Sequence, residues 1–180
     1  MEKKNIKAGH GIKLIISSAV FAAALCAAAV CVPVKHVNDA RQKLINCALS
    51  YEGSPYRYGG TDPKSGIDCS AYVGLVARKA AGINLPRTAD AIYSAVKIIS
   101  EKDIEPGDLL FFKAGNSGKI THVGIYCGRY HGPRKQFDGK KVFISAVSDG
   151  TPNGVQLSLM KSSFWKKTYF AVGRILPASK

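Results

Sequence analysis

The sequence predicts an α+β domain in which helices come first and a largely antiparallel sheet follows. Two observations carry that expectation. Apolar residues recur at helical spacing up to about residue 95, and beyond the turn Glu105-Pro106-Gly107-Asp108 the pattern changes to short strand-like runs. At 180 residues the chain has room for one domain with a proper core and a short extension.

The extension stands at the start. Lys3, Lys4, Lys7 and Lys13 face a single Glu2, and the stretch from Leu14 to Val34 carries no charge. A basic head before an apolar run describes an export signal or an N-terminal membrane anchor. Residues 1–34 are therefore expected to be the signal or anchor, and residues 35–180 the exported domain. Three fates are open for the segment: cleavage near Ala27-Ala28-Ala29, lipid on Cys26 or Cys31, or retention in the membrane. Each places the rest of the chain outside the cytoplasm, in the periplasm or at the cell surface.

The first helix is expected over Val37–Tyr51, where Val37, Ala40, Leu44, Cys47, Ala48 and Tyr51 share a face. Cys47 is read there as a core residue. A Gly-, Pro- and Ser-rich loop follows, and then a buried helix from Cys69 with Gly82 as its stop. Thr88 caps a short further helix. Strands are expected at Leu109–Lys113, Ile120–Tyr126, Val142–Val147, Val155–Leu159 and Tyr169–Leu176. The basic segment between the second and third of these reads as an enlarged, solvent-exposed hairpin loop.

Charge narrows the partners. The formal net charge is +14; without residues 1–34, which hold four lysines and one glutamate, 22 basic side chains face 11 acidic ones, a balance of +11. Such a surface suits an anionic cell envelope. Export and the lack of any nucleic-acid motif argue against nucleic acid. Three cysteines lie beyond the signal, Cys47, Cys69 and Cys127, without the spacing of a zinc site. A Cys47–Cys127 bridge is open, a buried thiol at Cys127 the preferred reading. No metal and no cofactor are expected.

One stretch, "GIDCSAYVGLV", raises a question of chemistry. Cys69 sits behind Asp68 where a glycine-rich loop turns into a helix. Unpaired N–H groups and the helix dipole favour negative charge there, so the thiol is expected to ionise below its ordinary value of about 8.5. A nucleophilic cysteine needs a base. Of His36, His122 and His131, only His122 stands at the mouth of a strand; His36 lies beside the apolar segment and His131 in the basic loop.

The runs "GSPYRYGG", "DCSAYV", "LPR", "PGDLLFF", "HVGIYCG", "GV" and "FWKKTYFAVGRI" occur in the order found in the NlpC family of bacterial cell-wall cysteine peptidases, which this chain resembles over about residues 40–176. The resemblance implies a papain-like domain that hydrolyses peptidoglycan stem peptides, commonly between γ-linked D-glutamate and a diamino acid. It implies Cys69 as nucleophile, His122 as general base and Tyr56 in the cleft. Asp68, Ser70 and Arg87 match positions that help bind the end of the stem peptide, although Asp68 also suits a helix cap and Arg87 a surface charge. A monomer without metal is expected.

Three departures from the family pattern stand out. Ala71 replaces a glycine, and the loop from Gly128 to Lys141 is long, so it is expected to rim the cleft. Ser145, in "FISA", stands where the family commonly puts the residue that orients the histidine. Four outcomes are open: Ser145 acts through a water, His131 folds in, the pair works as a dyad, or activity is lost. The competing reading is a catalytically weak or inactive wall-binding module of the same fold.

Overall fold

The computed structural model describes residues 39–115, 118–148 and 153–178. The expectations for residues 1–34 and for His36 fall outside the described residues. Among those described, no helix is long and apolar enough to cross a membrane.

Helix α1 (Asp39–Leu49) buries Leu44, Ile45 and Ala48 and, unexpectedly, Arg41. Cys47 lies at the flank of that face, partly buried against the core, so Ile45 takes the deep position expected for Cys47. Arg41 is fully buried, and its two terminal nitrogens find acceptors there. It donates to the Asp108 carboxylate (3.1 Å) and to the carbonyls of Pro106 and Pro177 (2.8 Å each). Arg174 grips the same carboxylate through Nε (3.0 Å) and a terminal nitrogen (2.7 Å). This cluster ties the first helix, the start of a central strand and the end of the chain together.

The loop that follows holds a small hairpin, β1 (Thr61–Asp62) and β2 (Gly66–Ile67), which leads into helix α2 (Cys69–Ala81). Asp68 caps α2: its side chain accepts from the Ala71 N–H at 2.9 Å. Gly82 ends the helix in the left-handed region (φ 68°), where a side chain would be strained. Thr88 caps α3 (Ala89–Ala95).

Six antiparallel strands form the main sheet: β3 (Lys97–Ile99), β4 (Leu109–Phe112), β5 (His122–Arg129), β6 (Lys141–Val147), β7 (Gly154–Leu159) and β8 (Tyr169–Arg174). Their spatial order is β3-β8-β4-β5-β6-β7. Alternation along the strands sends two sets of side chains to opposite faces. Val123, Ile125, Ile144 and Ala146 pack under α1 and α2 with Leu44, Tyr72, Val73 and Val76. Leu110, Phe112, Tyr126, Phe143 and Val172 form a second cluster with Trp165 of the short helix α4 (Ser163–Thr168).

The segment between β5 and β6 differs from expectation. Tyr130 is buried, Phe137 packs on the core, and Arg134 forms a two-pronged ion pair with Glu52 (2.6 and 2.7 Å). It follows Arg129, at the other end of an eight-residue strand from His122. At about 3.3 Å per residue that is some 20 Å away. The loop does not rim the cleft.

Candidate active site

Cys69 opens α2 and His122 opens β5. α2 packs across β5 and β6, so the two chain segments meet where the sheet ends. The register explains the histidine. Val123 points into the helix-covered core, so its neighbour His122 must point to the other face, where it pairs with Phe112 across the β4–β5 ladder. The Val123 N–H donates to the Cys69 sulfur, which fixes the thiol against the residue next to the imidazole.

Cys69 and His122 share the wall of a cavity of about 520 Å³. Tyr56 lines it from the loop before β1, Thr121 from the start of β5, Gln156 and Ser158 from the edge strand β7, and Phe164 and Trp165 from α4. Apart from Cys69, His122 and the Tyr56 phenol, none of the lining residues carries an ionisable side chain.

Ser145 lies within hydrogen-bond distance of the imidazole. It is fully buried on β6, and its Oγ lies 3.0 Å from His122 Nε2. The contact is direct, with no water interposed. His131 stays in its own loop, half exposed and 3.8 Å from Asp138. With Nε2 engaged, Nδ1 is the nitrogen left to take the thiol proton.

The electrostatics correct one expectation. The Cys69 thiol is pushed up, not down: burial dominates, while N–H groups of Val123, Ser70 and Cys69 itself oppose it. Burial likewise pushes His122 down to about 4. At neutral pH the resting pair is thus a thiol beside a neutral imidazole. A helix start favours a thiolate, but here desolvation outweighs it.

Asp68, Ser70 and Arg87 come together in a second cluster beside Cys69. Arg87 clasps both Asp68 oxygens (3.0 and 2.7 Å) and donates to Ser70 Oγ (2.9 Å), which itself donates to Asp68 (3.0 Å). Burial opposes ionisation of Asp68 most strongly, yet the bonds from Arg87, the Ala71 N–H and Ser70 together hold its carboxyl below the usual range. None of the three lines the cavity. The arginine is no solitary surface charge: its side chain, 45% exposed, serves a carboxylate that is 11% exposed.

Sequence reasoning did not single out Phe112, Gln156, Ser158 or Trp165. The signal for Trp165 was present in "FWKKTYFAVGRI", yet nothing in its spacing shows that the indole reaches the imidazole. Among the described residues no group of three or more His, Cys, Asp or Glu could hold a metal ion.

A family model described as NlpC/P60 family matches residues 53–174, which take in Cys69, His122 and Ser145. The chain belongs to the NlpC/P60 family. It is 40% identical to the bifunctional muramidase/DL-endopeptidase CwlT of Bacillus subtilis over 79% of its own length and 39% of that protein. It is 34% identical to the murein DD-endopeptidase MepS/murein LD-carboxypeptidase of Escherichia coli K12, over 78% of its length and 66% of that protein. This NlpC/P60 chain thus spans well under half of the first relative and just under two thirds of the second. Among solved structures it resembles an NLP/P60-family, lipoprotein-like protein of Staphylococcus aureus, with a TM-score of 0.61 and 32% identity, over 81% of this chain and 44% of that one. The α+β architecture with helices on a largely antiparallel sheet is the NlpC/P60 fold.

Proposed function

We propose that this chain is a cysteine endopeptidase that hydrolyses peptidoglycan stem peptides. The observation that carries the reading is the shared cavity wall of Cys69 and His122, with the Val123 N–H on the sulfur and Ser145 on the far imidazole nitrogen. The names of its NlpC/P60 relatives support the substrate class.

The chemistry is acyl transfer by a general base. As substrate displaces water, His122 Nδ1 takes the Cys69 proton and the sulfur attacks the scissile carbonyl. N–H groups at the start of α2 stabilise the oxyanion. The imidazolium protonates the leaving amine, a thioester remains on Cys69, and the neutral imidazole then activates water to release the acyl group. No metal enters the scheme.

The bond attacked is the one between γ-D-glutamate and the diamino acid, with Tyr56 on the cleft wall and the Asp68–Ser70–Arg87 cluster beside the nucleophile binding the end of the stem peptide. The domain of residues 35–180 acts as a monomer in the cell envelope, exported by residues 1–34 as a signal or as a membrane anchor, and its +11 balance favours anionic surroundings. Incubation with a defined muropeptide and mass analysis of the products tests the reading. A peptide fragment beginning with the diamino acid is expected, together with a muropeptide whose stem ends at D-glutamate, and their absence with wild-type protein overturns the proposal.

A further inference from the structure

Among the described residues no carboxylate faces His122 to share its positive charge when it forms. Ser145 of β6, Phe112 of β4 and Trp165 of α4 contact the ring, and Cys69 of α2 shares its cavity wall. Of these only Cys69 titrates, and Ser145 is a neutral acceptor. The Trp165 ring lies 4.8 Å from the imidazole, centroid to centroid, at an interplanar angle of 32°. Such a tilt is close to face-on stacking, the geometry in which the negative face of an indole meets a cation. The indole is itself held by Phe112 (4.8 Å), Phe143 (5.2 Å, edge-on) and Phe164 (4.9 Å, edge-on), and it is only 9% exposed.

From this geometry we infer that Trp165 is a positioning residue for the reaction, which clamps the His122 ring against Ser145, keeps water from that hydrogen bond and receives the charge of the imidazolium on its face. Phe112 touches the ring as well, with centroids 5.7 Å apart, and backs the indole from the same side at 4.8 Å, so the aromatic pair and the bond to Ser145 together fix the ring. Charge acceptance matters because burial alone opposes protonation of His122. A base that cannot hold its proton cannot deliver it to the leaving amine. In this chain an aromatic face does part of the work that a stronger polar partner than serine would do.

Trp165 is the chain's single tryptophan, so its emission reports on this contact alone. A protonated imidazole stacked on indole quenches it. In the full wild-type chain the emission is expected to fall in acid with a midpoint near pH 4, where His122 takes its proton, and the His122→Ala variant to lose that step. The kinetic arm rests on the proposed peptidase reading. Trp165→Leu, which keeps apolar bulk without a π face, is expected to lower kcat about tenfold with little change in KM. The acid limb of its pH profile should move to lower pH, and Trp165→Phe should restore most of the loss. A packing role alone would lower the melting temperature and leave the limb in place. An emission step that survives His122→Ala, or a limb unmoved in a folded Trp165→Leu protein, overturns the inference. Should Trp165→Leu fail to fold, the emission comparison decides. Should wild type cut no stem peptide, the function reading falls while the emission titration still tests the contact.

Discussion

His122 and Ser145 face each other on adjacent strands, with imidazole Nε2 3.0 Å from the serine oxygen and the serine wholly enclosed. A hydroxyl is a weaker acceptor than a carboxylate, but water has poor access to this hydrogen bond from the side of the fully buried serine. Ser145→Ala removes the acceptor and frees the ring to turn. The expected result is a kcat/KM lower by about tenfold, equivalent to one buried neutral hydrogen bond, with the fold intact by circular dichroism.

Acid should reveal the buried imidazole in the stability of the protein. His122 titrates near 4 in the fold against about 6.5 in the unfolded chain. Its contribution is therefore fully present above about pH 6.5. As pH falls, the unfolded chain takes up a proton that the folded one refuses, and stability is lost until about pH 4. Denaturant unfolding between these limits should show a loss of about 3 kcal/mol from this residue. His122→Phe should show a correspondingly flatter dependence.

The three described cysteines differ in chemistry although all are free. Burial pushes the Cys127 thiol up to about 12, and Cys69 is also raised, but only Cys69 opens onto the cavity. Brief iodoacetamide treatment of the folded protein should label Cys69 and spare Cys127, as read by peptide mass mapping. Labelling of Cys127 at a comparable rate would contradict the described packing.

The Arg41–Asp108–Arg174 cluster predicts a large stability effect far from the chemistry. Asp108→Ala takes from two arginines, one of them fully buried, the buried carboxylate they share, leaving them the more exposed Glu105, and should cost about 3 kcal/mol in chemical denaturation. By contrast, Arg87→Gln breaks a pair whose arginine is 45% exposed, so about 1 kcal/mol or less is expected. If the cluster binds substrate, Arg87→Gln raises KM far more than it lowers kcat.

Much of this was legible in the sequence, for identifiable reasons. Gly82 and Thr88 mark helix ends because their chemistry is local, and the strands beginning near Leu109, Val142, Val155 and Tyr169 show in short apolar runs. Strand β3 was missed because two of its three residues are exposed and carry no alternation to read. Helix α4 was missed because six residues hold too little of the helical period. Buried Arg41 escapes any search for apolar faces, since its partner Asp108 is 67 residues away. The direction of the Cys69 shift was misjudged for the same reason: a helix start is visible in sequence, whereas the depth at which the sulfur is buried is a property of the packed fold. Ser145 could be placed beside His122 only as one arrangement among several until the 3.0 Å contact in the folded chain showed it.

The whole account turns on a covalent thioester between Cys69 and the acyl half of the stem peptide. Rapid acid quenching of wild-type protein during turnover of a defined muropeptide, followed by intact-mass measurement, tests it most directly. The mass should rise by that of the acyl fragment, with the addition mapped to Cys69 and absent in Cys69→Ala, which releases no product. Product formation by Cys69→Ala at the wild-type rate would contradict the account.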